Sequence, residues 1–215
     1  MSFIRNIAFI FVIAFIFAGL TSGVNMALSN RIHLNEQTRV SKQLLEVLAI
    51  PYPAESSPEN IRQIESRRVK SAKLDKEEIF AGFNENGKLE RYAFPVSGKG
   101  LWGSIQGFVA LDSNLSRIDG VIFTSHVETP GLGARIDEKW FRDQFKGLDL
   151  TKKASPEKYV RVESGAKGAV NRVDSITGAT ITSVSVEKMI NTDIQSILSQ
   201  RETIRGIDWQ SLPKK

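Results

Sequence analysis

The sequence predicts an α+β fold: one N-terminal transmembrane helix followed by an antiparallel sheet with packed helices. Three observations lead there. Residues 6–30 hold no charge, residues 79–124 break into short strand-like runs divided by turn residues, and a helical apolar period follows Ser183.

The run from Ile7 to Phe17 is continuously apolar. Gly19, Leu20, Val24, Met26 and Leu28 extend it to the roughly 20 residues that a bilayer-crossing helix needs. Arg5 and the amino terminus precede it, which favours an N-in, C-out orientation. Ala27-Leu28-Ser29 would suit signal-peptide cleavage, but the span exceeds a usual signal core, so a retained anchor is the preferred reading. Ile32, Val40, Leu44, Leu45, Val47 and Leu48 then suit an amphipathic helix that Pro51-Tyr52-Pro53 ends. Residues 59–70, charged with sparse Ile61 and Ile64, read as a short surface helix. The organisation expected is an anchor at 1–30, a helical linker region at 31–77 and a folded domain at 78–215.

Within that domain, strands are expected at 79–83, 89–94, 102–111 and 118–124, the first pair joined through Asn84-Glu85-Asn86-Gly87. Gly98, Gly100 and Gly103 either permit close approach to something bulky or make a flexible loop. Pro130-Gly131 and Gly133 fix a compact turn, and Trp140, Phe141 and Phe145 suit one wide helix face. A strand at 159–162, a loop at 165–168 and a final helix at 183–201 follow. Gly206 and Pro213 punctuate a tail anchored by Ile207, Trp209 and Leu212.

The formal charge of +5 is spread out, with basic clusters only at 67–70 and Lys214-Lys215, so no nucleic-acid partner is inferred. The absence of cysteine excludes disulfides, thiol catalysis and Cys-ligated iron–sulfur clusters, and with two histidines a His-rich metal site is not expected. Redox chemistry here must come from a bound organic cofactor.

One stretch draws attention, Asp174-Ser175-Ile176-Thr177-Gly178-Ala179-Thr180 followed by Ile181-Thr182-Ser183. Five of its ten residues carry hydroxyls, and it opens the final helix. Small hydroxyl residues at a helix start let a phosphate approach free N–H groups. The residues alone equally suit an ordinary loop and N-cap, which is the preferred reading at this level. Asp-x-x-Thr-Gly-Ala-Thr, however, resembles the flavin-attachment motif of the FMN-binding domain family. Glu128-Thr129-Pro130-Gly131-Leu132-Gly133 and Gly98-Lys99-Gly100-Leu101-Trp102 occur in the family's order. Together with the anchor, these motifs resemble the single-anchor FMN subunits of two membrane complexes, the sodium-translocating NADH:quinone reductase and the Rnf ferredoxin:NAD reductase. The glycine motif leans to the former. Thr-Gly-Ala-Thr-Ile-Thr and the short length lean to Rnf, which is narrowly preferred.

The resemblance implies an electron-carrying subunit of an ion-translocating oxidoreductase complex, without its own substrate site. FMN would be bound covalently through a phosphoester to Thr180, attached by a flavin transferase using FAD with magnesium. Gly178 and Ala179 would clear room for the phosphate, and Thr177 and Thr182 would bond its oxygens. Glu128, Thr129, Gly131, Leu132 and Gly133 would form a wall near the flavin ring, Leu132 packing on it. Asp174 would serve transferase recognition or orient the turn. His126 is read as structural, Trp102 as core, and Lys99 as a candidate for attracting the phosphate or ring edge. No catalytic or metal-ligating residue is expected. The implied partners are other membrane subunits of the complex, the transferase and membrane lipid. The implied location is the bacterial inner membrane, with residues 78–215 an extracytoplasmic FMN-binding domain. A flavin module of a regulator or extracellular reductase, or a flavin-free assembly module, remains an alternative.

Overall fold

The computed structural model describes residues 2–75, 77–166 and 170–212. The loop end at Gly168, Pro213 and the basic Lys214-Lys215 lie outside the described residues. The chain divides into two units, Met1–Arg39 and Val40–Lys215.

The first unit is helical, the greater part of α1 (Ser2–Val47). Its large apolar side chains between Phe3 and Leu28 are exposed, which water disfavours and hydrocarbon does not. Two of its hydroxyls bond the helix's own carbonyls: Thr21 Oγ1 donates to Phe17 O at 2.8 Å and Ser29 Oγ to Met26 O at 2.9 Å. Internal satisfaction of polar groups is what a bilayer interior requires. The helix is long and apolar enough to cross a membrane.

In the second unit, β1 (Val69–Leu74), β2 (Glu77–Phe83), β3 (Leu89–Lys99), β4 (Ser104–Asp112) and β5 (Ile118–Ser125) pair in sequence order as an antiparallel meander. Both faces are covered. Alternate residues Phe80, Ala93, Phe108 and Ile122 meet Leu44, Leu45 and Leu48 from the end of α1 and Ile61 from α2 (Pro58–Arg68). Their neighbours on the opposite face, Ile79, Phe94, Val109 and Phe123, join the main core. There they meet Phe141 of α3 (Lys139–Asp143), Phe145, and Val186, Ile190 and Ile194 of α4 (Thr180–Ser199). Two covered faces explain why every residue from Ile79 to Phe83 is buried rather than every second one.

Two short parallel strands, β6 (Arg161–Glu163) and β7 (Arg172–Asp174), flank α4, and α5 (Arg201–Arg205) follows it. Asn191 Oδ1 of α4 accepts from Tyr159 N at 2.7 Å and Val160 N at 3.1 Å, and Glu187 Oε2 accepts from Val162 N at 2.7 Å. These bonds fix α4 lengthwise, and therefore fix where its first turn emerges.

The expected α+β class is the one observed, but several elements differ from their expected extents. The sheet has a fifth strand: β1 carries Lys70, Ser71 and Lys73 where a strand pattern would want apolar residues, and it is an edge strand. Residues 31–77 are therefore more than a helical linker, since Leu44–Ile61 contribute core and Val69–Leu74 extend the sheet. β3 runs on to Lys99 through Pro95, tolerated because beyond Ala93 its recorded pairing is with β4 alone. Trp140, Phe141 and Phe145 do not share one face, because α3 spans only 5 residues: Phe141 and Phe145 are buried while Trp140 is exposed.

Candidate cofactor site

The cleft forms where three loops meet the first turn of α4. Leu101, Glu128, Thr129, Leu132, Gly133, Gly178, Ala179, Thr180, Ile181 and Thr182 line a space of about 250 Å³. Thr180 is the first residue of α4 and is exposed. Ala179 stands at the N-cap with no side-chain hydrogen bond, so the first-turn N–H groups are left for an acceptor from outside the helix. The turn before it is fixed from behind. Ser183 Oγ accepts from Ile176 N at 3.0 Å, and Gly178 takes φ +79°, a backbone state that disfavours a Cβ.

Glu128 ties the site together. Its Oε1 accepts from Leu101 N at 2.8 Å and Trp102 N at 3.3 Å, and its Oε2 accepts from Thr182 Oγ1 at 2.6 Å. One buried carboxylate thus joins the glycine loop, the loop at 126–133 and α4. The glycines follow from it. A Cβ on Gly100 would lie 2.4 Å from Glu128 Oε1, and one on Gly133 would lie 2.7 Å from Oε2 and 2.6 Å from Thr182 Oγ1. Gly103 is confined in the same way by Val127 Cγ2, at 2.4 Å. Gly100 and Gly103 are thus crowded by side chains of the neighbouring loop, whereas a Cβ on Gly98 would lie 2.8 Å from Met189 Cβ on α4.

His126 braces that loop. Its Nδ1 accepts from Glu128 N at 3.2 Å; since an amide can only donate, the ring proton sits on Nε2, 2.9 Å from Asp137 Oδ2. The structural reading of His126 matches this arrangement. Asp174 orients the preceding loop, its Oδ1 accepting from Ala166 N at 2.7 Å.

Of the residues expected from sequence, Thr180, Gly178, Ala179, Thr182, Glu128, Thr129, Leu132 and Gly133 come together, while Thr177, Gly131 and Lys99 are outside the lining. Thr182 differs in role: it is buried and its hydroxyl donates to Glu128, which commits its proton away from any phosphate. Trp102 is not core. β4 begins only at Ser104, so its ring is 69% exposed and its Nε1 donates to Thr129 Oγ1 at 3.0 Å. Leu101 and Ile181 were not singled out by sequence, although both lie inside motifs. Their signal was an apolar residue at a position that the fold leaves open, 42% and 59% exposed.

Residues 100–195 match the FMN-binding domain family. The match begins at Gly100, inside the glycine loop, and contains every residue lining the cleft. Among relatives, the NqrC-type subunit of the Na(+)-translocating NADH-quinone reductase of Yersinia pestis is 32% identical over 116 residues, 53% of this chain and 43% of that protein. Its Pseudomonas aeruginosa counterpart is 34% identical over 111 residues, 49% of this chain and 42% of that protein. The matched segment thus spans less than half the length of these relatives. The crystal structure of the corresponding reductase subunit from Parabacteroides distasonis has the same fold, with TM-score 0.66 and 24% identity over 81% of this chain and 96% of that one. NqrC from Shewanella oneidensis is similar, with TM-score 0.64 and 21% identity over 78% and 99%. These relatives are subunits of the Na(+)-translocating NADH-quinone reductase, one of the two complexes whose subunits the sequence motifs resemble.

Proposed function

We propose that this chain is a membrane-anchored, electron-carrying subunit of a sodium-translocating NADH:quinone reductase, holding FMN by a phosphoester to Thr180. The observation that carries it is the exposed Thr180 hydroxyl at an uncapped helix start, opening on a cleft with apolar walls, within a segment of the FMN-binding family. The bound flavin supplies the electron chemistry.

The residues present fit that cofactor. First-turn N–H groups of α4 suit the phosphate, and Gly178 and Ala179 keep side chains out of its way. Leu101, Leu132 and Ile181 offer apolar surface to the ring, and Thr129 offers a hydroxyl. Attachment needs only a hydroxyl from this chain. By the family resemblance the flavin phosphate of FAD bonds Thr180 Oγ, the pyrophosphate bond breaks, and AMP leaves while the hydroxyl proton passes to the transferase. Asp174, which orients the preceding loop, and Thr177 both lie outside the cleft lining. A tether holds the flavin at high effective concentration. That is useful if, as Arg5 suggests, residues 78–215 face the extracytoplasmic side, and the other membrane subunits would exchange electrons with the ring.

The test is Thr180→Ala in a host expressing the transferase. The expected outcome is complete loss of in-gel flavin fluorescence and of the FMN mass increment from the denatured protein. Covalent flavin retained in this variant would overturn the acceptor assignment.

A further inference from the structure

Glu128 belongs to the wall of the cleft but has no task in holding a phosphate. Its surroundings are unusual for a buried acid. It is 5% exposed. Among the described residues no Lys or Arg comes within ion-pair distance of it, and no cation lines the cleft. What meets its oxygens are two main-chain N–H groups and one hydroxyl. These hold the carboxylate in place as dipoles and leave its net charge uncancelled. The absence of side chains at Gly100 and Gly133 is what lets the carboxylate sit between the loops.

Resting on the FMN reading of this cleft, we propose that Glu128 is the charge that sets the reduction potential of the bound flavin, holding it low. Taking up electrons adds negative charge to the cleft. A fixed carboxylate on the cleft wall opposes that by Coulomb repulsion, more strongly in a partly buried site than in water. The positive end of α4 would act in the opposite sense, but a phosphate at the first turn takes up that field. Glu128 is then the remaining formal charge among the lining residues. Glu128 acts through the field and through the position it imposes on three segments, not by exchanging a proton or an electron.

The experiment is a spectroelectrochemical titration of the full-length, flavin-loaded protein in detergent. Glu128→Gln keeps an oxygen for Leu101 N and Trp102 N and can donate to Thr182 Oγ1, so it removes charge with little change of shape. The midpoint potential of its flavin-loaded protein should rise. Thr182→Val deletes the hydroxyl donor to the carboxylate, exposes its charge more fully, and should lower the midpoint. An unchanged or lowered midpoint in Glu128→Gln would overturn the assignment. So would a folded Glu128→Gln protein that takes no flavin, because the carboxylate would then serve attachment instead. If Glu128→Gln does not accumulate, Thr182→Val decides alone: a fall supports the assignment, and no change or a rise overturns it. Covalent flavin on Thr180→Ala would sink the acceptor reading while leaving the Glu128 comparison intact.

Discussion

Glu128 and Glu187 are both buried carboxylates bound to main-chain N–H groups, one at the mouth of α4 and one in its second turn. They differ in what balances them. Glu187 has Lys158 Nζ at 2.6 Å, so its charge is paired while it holds Val162 N and β6 against the helix. Glu128 has donors only among the described residues. Along α4, Thr182, which holds Glu128, and Glu187 are separated by about 7.5 Å of helical rise. The structural half of α4 neutralises its carboxylate and the cleft half does not. Neutrality is what stability alone would favour, so the unpaired acid marks the cleft as built for a purpose other than holding the fold.

The largest effect should come from crowding the unpaired acid. Gly133→Ala places a methyl 2.6 Å from Thr182 Oγ1 and 2.7 Å from Glu128 Oε2, with no positive φ to complicate the comparison. Overpacking of this kind costs about 3 kcal/mol. Gly131→Ala, where a Cβ meets nothing but φ is +74°, should cost only about 1 kcal/mol. Thermal denaturation of the two full-length variants in detergent compares them, and equal losses would show that backbone conformation, not the carboxylate bracket, selects glycine at 133.

Next comes the paired acid. Glu187→Ala strips Val162 N of its acceptor and Lys158 of its partner, for about 2 kcal/mol. Glu187→Gln keeps an acceptor, and Lys158 is 44% exposed, so this variant should lose only about 0.5 kcal/mol. Neither should move the flavin midpoint. A midpoint rise in Glu187→Gln matching that of Glu128→Gln would erase the distinction between the two acids.

How much of this was legible in the sequence follows from the same contrast. The Thr180 motif and the wall at 128–133 could be found because they are contiguous strings. The meander was readable where turns are marked by Asn-Gly and strands by apolar runs. β1 was not, because an edge strand needs no apolar pattern and takes its identity from β2 across the ladder. The bracket around Glu128 was hidden for a related reason. It joins residues 100–102, 128–133 and 182, and only the fold brings these together. Sequence could say that Gly100 permits a close approach and that Gly133 belongs to a compact turn; it could not say that both face the same carboxylate.

Asp193, six residues beyond Glu187 on α4, is the third acid in the series and has neither a cation nor a converging set of donors among the described residues. Its Oδ2 accepts only a long bond from Ser97 N at 3.3 Å. Burial pushes its pKa up from 3.8 to about 6, with Ser97 N–H opposing and the charge of Glu77 adding to the rise. The sign follows from proton binding. Between the two values the folded chain holds the proton more tightly than the unfolded one. The group's stabilising contribution is therefore present below pH 3.8 and lost as pH rises through about 6. Asp193→Asn keeps an acceptor for Ser97 N without the charge. It should be more stable than wild type at pH 7.5, by no more than about 1 kcal/mol because water screens a half-buried group. The advantage should shrink towards zero near pH 4. Paired melting curves at the two pH values measure it. An Asp193→Asn protein less stable than wild type at pH 7.5 would mean that the Ser97 contact outweighs desolvation. α4 would then carry two acids that serve its packing, set against Glu128 across the cleft, which has no cation within ion-pair distance among the described residues.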